Sequence, residues 1–249
     1  MTSINFSIAD GIAHIIFNNG VTNPISTKFV NDFEQLLPQL ESDSCKGVII
    51  KGGEKFFSMG LNLPELLELE RAEMEDFFTR FDDICYRIYS LNKPTMSVIE
   101  GHAVAGGAVL ALMTDYRYAA DSTKFFGLNE IKIGVPVPYL TSLVVHAIAP
   151  GLTAKELLYS GEFLPFPDAS KSEIIDCTFP ADELNLAAET KIKQLASFNQ
   201  QTFSAMKNNQ IEKVQTLYLK NKEFKNKEFL DCWFSQQSQE LLKEAAKNF

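Results

Sequence analysis

The sequence predicts an α/β protein, and two observations carry that expectation. Four short runs are rich in β-branched or aromatic residues and are bounded by Gly, Asn or Pro: 12–18, 47–51, 96–99 and 115–119. Between them lie stretches whose apolar residues recur at helical spacing. Strand and helix therefore alternate along the chain, the order expected of helices packed on a sheet. No internal sequence repeat is visible.

The elements follow in order. The run 12–18 is the first strand. The stretch 26–42 opens with Ser26 in N-cap position and sets Phe29, Phe33, Leu36, Leu37 and Leu40 on one helical face. Pro38 interrupts that helix and is expected to kink it or end it early. After the strand 47–51 comes Gly52-Gly53-Glu54-Lys55-Phe56-Phe57-Ser58-Met59-Gly60-Leu61-Asn62-Leu63. On its own this segment reads equally as a plain strand-to-helix turn, and it lacks the Gly-Lys-Ser/Thr ending of a phosphate-binding loop. Residues 65–90 read as one long helix with Phe77, Phe78, Phe81, Ile84, Cys85 and Ile88 on its apolar side. Residues 105–113 form a short helix that is apolar all round, hence buried. From about Ala187 the chain is helix-forming and rich in Lys, Gln and Glu, with Phe198, Phe203, Phe224, Phe229, Trp233 and Phe234 interspersed. The expected division is a core over residues 1–186 and a helical C-terminal section over 187–249, which needs a surface to pack on, a neighbouring subunit being one.

Composition narrows the function. The chain has 249 residues, enough for one large domain or a domain with an appendage. Its net charge of −9 argues against a nucleic-acid binder, because neutralising phosphates needs clustered Lys and Arg. A single phosphorylated ligand is not excluded. The Lys220, Lys222, Lys225 and Lys227 series reads as a solvated helix face, with a phosphate contact as the other reading. The four cysteines show neither metal-ligand spacing nor a disulfide framework, so no metal and a reduced, cytoplasmic setting are expected. No basic-then-apolar leader, no C-terminal peroxisomal signal and no membrane-length apolar run is present in the sequence.

The chemistry concentrates between Glu100 and Pro138. Gly106-Gly107 forms a tight turn that opens a helix, and such a turn presents a backbone N–H unobstructed at the positive end of a helix dipole. That is half of an oxyanion hole. Downstream, Glu130 stands alone among Leu128, Ile131 and Ile133. A carboxylate beside an oxyanion hole can move a proton at carbon next to a carbonyl without a metal. Outside such a context Glu130 would read as a surface glutamate. His102 reads as a satisfied core or interface histidine, His14 and His146 as structural, and Asp115 as paired locally, with Arg117 as the nearest cation in sequence. No Gly-x-Ser-x-Gly nucleophile elbow is present.

The order of these pieces resembles the crotonase (enoyl-CoA hydratase/isomerase) superfamily from about Phe6 to Leu184. Phe57-Ser58-Met59-Gly60-Leu61-Asn62-Leu63 is similar to its Phe-Ser-Ala-Gly-x-Asp-Leu turn, and Lys93-Pro94, Glu100-Gly101, Ala105-Gly106-Gly107, Asp115-Tyr116-Arg117 and Ala120 match the motifs that follow. The departures are Asn62 for Asp and Ala105 for the first of three glycines. The resemblance implies a spiral of ββα units, a homotrimer or dimer of trimers, and an acyl-CoA thioester substrate, with coenzyme A part of the substrate and no separate cofactor. It assigns catalysis to Glu130 and to the backbone N–H groups of Leu61 and Gly106. It assigns substrate contact to Ser58, Gly60, Asn62, Gly107 and Val109, with Lys28 and Lys55 as phosphate neighbours and the acyl chain among apolar residues of the 63–81 region. Hydratases of the superfamily carry a first glutamate at the position of Val109, and an apolar residue there is similar to the 3,2-enoyl-CoA isomerase branch. Gly127-Leu128-Asn129-Glu130 and Gly134-Val135-Pro136-Val137-Pro138 resemble that branch too. The expected activity is isomerisation of 3-enoyl-CoA to 2-enoyl-CoA. A hydratase, a decarboxylase on a CoA or carrier-protein thioester, and a non-catalytic acyl-CoA-binding relative stay open.

Overall fold

In the computed structural model, which describes residues 2–247, Asp10 and Gly11 reverse the chain at φ 53° and 79°. That turn joins two antiparallel strands, Ile4–Ala9 (β1) and Ile12–Phe17 (β2). Asp-Gly is a strong hairpin signal, yet β1 itself was not among the four expected strands. Next come α1 (Thr27–Glu34) and α2 (Leu37–Glu41). Ser26 caps α1 by accepting from the Phe29 N–H at 3.1 Å, and Pro38 sits in the first turn of α2, so the proline splits the expected helix in two.

The following elements repeat a pattern of long strand, short strand, helix. The first unit is β3 (Gly47–Lys51), β4 (Phe56–Ser58) and the helices α3 (Leu63–Leu66) and α4 (Arg71–Tyr89). The expected single helix over 65–90 is thus two helices. The second starts where the Glu73 carboxylate accepts from the Glu70 N–H at 2.9 Å. The second unit is β5 (Thr95–Ile99), β6 (His102–Val104) and α5 (Gly106–Leu112). The third is β7 (Tyr116–Ala120), β8 (Phe125–Gly127), a 3-10 turn at Glu130–Ile133 and α6 (Tyr139–Ile148). Then follow α7 (Gly151–Tyr159), β9 (Leu164–Pro165), α8 (Phe166–Lys171), β10 (Cys177–Phe179), α9 (Ala181–Ala196), α10 (Gln200–Trp233) and α11 (Gln236–Ala246).

The long strands form one sheet, in the order β1-β2-β3-β5-β7-β10, parallel from β2 onward. The short strands form a second, β4-β6-β8-β9, in which β4, β6 and β8 are parallel. This is the spiral of ββα units that the resemblance implies. Both faces of the large sheet are covered. Val48 and Ile50 face the main core, whereas Ile49, Met96 and Val98 pack against Leu184, Ala188 and Ile192 of α9. Burial on both faces explains why β3 reads as an apolar run and why β5 and β7 show no alternation of apolar and polar residues. The 186/187 division falls inside α9, which closes this second core. The described residues of the C-terminal section form α9, α10 and α11 joined by short turns, and α10 spans about 50 Å at the helical rise per residue. Among the described residues no helix is long and apolar enough to cross a membrane.

Candidate active site

Three adjacent strands deliver the site. Parallel pairing puts the C-terminal ends of β4, β6 and β8 side by side, about 4.8 Å apart strand to strand. Past those ends lie Met59-Gly60-Leu61, Ala105-Gly106 and Leu128-Asn129-Glu130.

The first two turns touch backbone to backbone. Gly60 has φ 100°, and a methyl placed on it would lie 2.8 Å from the Gly106 nitrogen; one placed on Gly106 would lie 2.9 Å from Ile25 Cδ1 and 3.4 Å from the Leu61 nitrogen. Neither position accepts a side chain. Ile25 fixes the Leu61 turn: its N–H donates to the Gly60 carbonyl at 2.8 Å, and its carbonyl accepts from the Asn62 N–H at 2.9 Å. This pairing uses both neighbours of Leu61 and leaves the Leu61 N–H without a protein acceptor among the described residues. The Gly106 N–H, at the start of α5, is also without one. Two donors in adjacent turns, one on a helix N-terminus, can hold a single oxyanion.

Ala105 stands at φ 49°, ψ −128°, where the resemblance has glycine. The surrounding bonds enforce that conformation: the Ala105 N–H donates to the Gly127 carbonyl at 2.9 Å, and the Ala105 carbonyl accepts from the Val109 N–H at 3.0 Å. A non-glycine residue held there stores about 1–3 kcal/mol of strain.

Glu130 opens the 3-10 turn after β8 and is 6% exposed. Burial pushes its carboxyl up to about 7, although the Glu130 and Asn129 backbone N–H groups pull it back. Its Oε2 and the Oδ1 of Asn129 have no hydrogen-bond partner among the described residues. A buried carboxyl that titrates near neutrality with one oxygen uncommitted suits a general base that must also act as an acid.

These groups line one cavity of about 320 Å³. Leu61, Gly106, Val109 and Glu130 all border it; Val109 is 1% exposed and carries no polar atom. Glu130 is the one carboxylate among the bordering residues. Leu63, Phe78 and Phe81 border it as the sequence suggests for an apolar tail. The sequence reading missed Asn129, Phe163, Phe229, Trp233 and Ala245, which complete the walls. A signal existed for two of them: Phe229 and Trp233 recur at i, i+4 in an otherwise polar helix.

The other expected contact residues do not border the cavity. Ser58, Gly60, Asn62 and Gly107 instead build the turns. The Ser58 hydroxyl accepts from the Gly60 N–H at 3.1 Å, and a side chain on Gly107 would meet the Ser58 carbonyl oxygen at 2.2 Å. Asn62 donates to Glu65 at 2.8 Å, and the other oxygen of Glu65 accepts from Thr27 N–H at 2.9 Å, tying α3 to α1. Lys28 is paired with Asp32 at 2.5 Å, whereas Lys55 is exposed with no ion pair among the described residues. His102 accepts from the Phe125 N–H at 3.0 Å and lies between the Phe56 and Phe125 rings, where burial, Lys124 and Lys55 hold it below its usual value. Asp115 does not pair with Arg117. It accepts from Thr95 and from the buried Lys207 at 2.9 Å, while Arg117 pairs with Asp176 at 3.1 Å.

Comparison with known proteins gives the fold and the family. The chain is 33% identical over 184 residues to rat mitochondrial enoyl-CoA delta isomerase 1, covering 72% of this chain and 63% of that protein. It is 32% identical over 180 residues to the probable enoyl-CoA hydratase echA17 of Mycobacterium avium (strain 104), covering 72% and 69%. The alignment thus spans less than two thirds of the rat relative's length. The crystal structure of human mitochondrial delta3-delta2-enoyl-CoA isomerase superposes with a TM-score of 0.93 at 24% identity, over 99% of this chain and 97% of that one. An enoyl-CoA hydratase/isomerase from Mycobacterium paratuberculosis superposes at 0.88 and 16% identity, over 98% of each. The sequence model of the family described as enoyl-CoA hydratase/isomerase matches residues 7–249, and the chain belongs to that family.

Proposed function

We propose that this protein is an enoyl-CoA delta isomerase that moves the double bond of a 3-enoyl-CoA to the 2-position. The carrying observation is the cavity's single carboxylate, Glu130, with the apolar Val109 lining the same cavity. Ionised Glu130 takes a proton from C2 of the 3-enoyl thioester. The electrons move into the thioester carbonyl, and the resulting dienolate oxygen lies between the Leu61 and Gly106 N–H groups. Neutral Glu130 then returns the proton to C4, and the 2-enoyl thioester forms with no net change in atoms or charge. One residue must serve as base and acid in turn, and a carboxyl near 7 is poised for both. Hydration would also need a second carboxylate to hold and activate water, and Glu130 is the one carboxylate bordering the cavity. The apolar walls fit an aliphatic acyl tail. The exposed Lys55 is a phosphate contact in this reading, and Lys28 is available only by release from Asp32. A trimer, or a dimer of trimers, would cover exposed Phe198, Met206, Leu219 and Phe224 of the helical section.

The test is incubation with 3-hexenoyl-CoA, following conjugated thioester by its ultraviolet absorbance and identifying products by chromatography. Accumulation of 2-hexenoyl-CoA supports the reading. A 3-hydroxyacyl product from 2-hexenoyl-CoA, or no conversion of the 3-enoyl thioester, would refute it.

A further inference from the structure

One buried carboxylate has no part in this chemistry. Asp82 lies on α4 and is 3% exposed. Its Oδ2 accepts from the Tyr218 hydroxyl at 2.7 Å and from the Asn226 side-chain amide at 3.0 Å, so both donors come from α10. Four residues earlier on α4, the Phe78 ring stacks on Phe229 of α10 with centroids 3.8 Å apart and planes 6° from parallel. Phe78, Phe229 and Trp233 all border the cavity.

The burial pattern of α10 explains why a carboxylate stands there. Tyr218 is buried and stacks on Tyr86 of α4 at 4.8 Å; the next buried residue is Phe229. From 219 to 228 no side chain of α10 is buried, so no apolar contact sets how this stretch lies on α4. Asp82 spans the gap by holding one donor at its start and one near its end. An apolar residue would stick the helices together without fixing their rotation. A buried carboxylate is unfavourable unless its hydrogen bonds are made, so it selects the one arrangement in which both donors meet it.

We propose that Asp82 is a positioning residue for acyl binding: by clamping Tyr218 and Asn226 it fixes the part of α10 that carries Phe229 and Trp233, and this α4–α10 seam is the distal wall that recognises long acyl chains. The proposal rests on the acyl-thioester reading of the cavity. Short acyl groups end before the seam, and their turnover does not depend on the clamp. Long ones pack against the seam and do. Glu130 and the two N–H donors sit on strand ends and are unaffected.

The experiment compares wild type with Asp82→Ala, Asp82→Asn and Tyr218→Phe, using 3-hexenoyl-CoA and 3-dodecenoyl-CoA. Tyr218→Phe keeps the ring stack on Tyr86 and folds even where Asp82→Ala does not. For Asp82→Ala, KM for the long substrate is expected to rise about tenfold and for the short one to change less than about twofold, with kcat for the short substrate kept. Tyr218→Phe is expected to do the same to a lesser extent. Asp82→Asn keeps an oxygen acceptor and is expected to recover part of the long-chain affinity. Trp233 is the only tryptophan, so its emission reports directly on the seam. In wild type, saturated dodecanoyl-CoA is expected to shift that emission more than hexanoyl-CoA, and the clamp variants to lose the difference. The emission test needs no turnover. If wild type isomerises nothing but the long-chain shift and its loss are seen, the functional reading falls and the clamp stands. Equal KM changes for both chain lengths in a folded variant, a lower melting temperature with an unchanged long-to-short ratio, or no acyl-CoA response of Trp233 in wild type would overturn the proposal.

Discussion

Glu130→Gln separates the chemistry of this site from its shape. Glutamine keeps the length and the hydrogen-bonding reach of glutamate but cannot carry the proton. Thioester binding is expected within a few-fold of wild type, and isomerisation lowered by at least about 10²-fold. The structure adds a second consequence. The Glu130 carboxyl is pushed from 4.5 up to about 7 by burial. Between those values the unfolded chain has released the proton and the folded chain keeps it, so wild-type stability falls as pH rises through the window and is fully reduced above about 7. At about 1.4 kcal/mol per pH unit, the loss by pH 8 is about 3 kcal/mol. Glutamine carries no charge and escapes it. The variant is therefore expected to gain on wild type by about 2.5 kcal/mol between pH 5 and pH 8 in denaturant or thermal unfolding, while losing activity. Wild-type kcat/KM is expected to fall about tenfold per unit below about pH 7, since the free enzyme must be ionised to take the proton. Near-wild-type isomerisation by the glutamine variant would refute the single-base mechanism. A stability difference that does not change with pH would refute the burial argument.

The remaining expectations concern the walls of the same site. Val109→Glu puts a second carboxylate beside Glu130 and is expected to give weak hydration of 2-enoyl-CoA, at a stability loss of about 2–4 kcal/mol for a buried charge, read by product analysis and thermal unfolding. Ala105→Gly removes the strain at φ 49° and is expected to stabilise the chain by about 1 kcal/mol after glycine's own entropy cost, or about 2–4 °C in Tm. Gly106→Pro is a poor probe of the N–H, because residues before proline avoid the Ala105 conformation and the ring would meet Ile25. An ester in place of the Leu61 amide removes the donor, weakens the Gly60 carbonyl that accepts from the Ile25 N–H, and is expected to lower kcat by about 10²–10³-fold with the melting temperature measured alongside. Light scattering at micromolar concentration is expected to give at least a trimer mass; a monomer would count against the proposed assembly.

How much of this was legible in the sequence depended on whether the cause was local. The strands β2, β3, β5 and β7 were readable because their β-branched and aromatic residues, most of them buried, stand between Gly, Asn and Pro. The strands β4, β6 and β8 were not, because three residues are too few to show a period. They are nevertheless what aligns the site, and the glycines beyond their ends marked the place. Gly60 and Gly107 are there because other backbone occupies the space of a side chain, and at Gly106 the buried Ile25 side chain does. Glu130 could be named for its position, and its neighbours Leu128, Ile131 and Ile133 pointed to a desolvated carboxyl with a raised pKa; the burial is there, but Ile131 is itself exposed and the cavity is closed by other elements.

The cavity's far wall shows where such reading stops. Phe229 and Trp233 lie about a hundred residues beyond Glu130, in a helix whose other residues are mostly exposed, and nothing local to them indicates a ligand. Their place is set by contacts across the fold: Phe78 of α4 stacks on Phe229, and Asp82 accepts from Tyr218 and Asn226 of α10. In the sequence Asp82 precedes another aspartate in a charged helix and reads as solvated. The reacting end of the site is thus built by short-range backbone constraints that leave glycines behind. The end proposed to choose among acyl chains is built by long-range contacts between α4 and α10, ring stacks and the Asp82 hydrogen bonds together. The two should respond separately to mutation: changes at the strand ends in kcat for every substrate, and changes along the α4–α10 seam in KM for long ones.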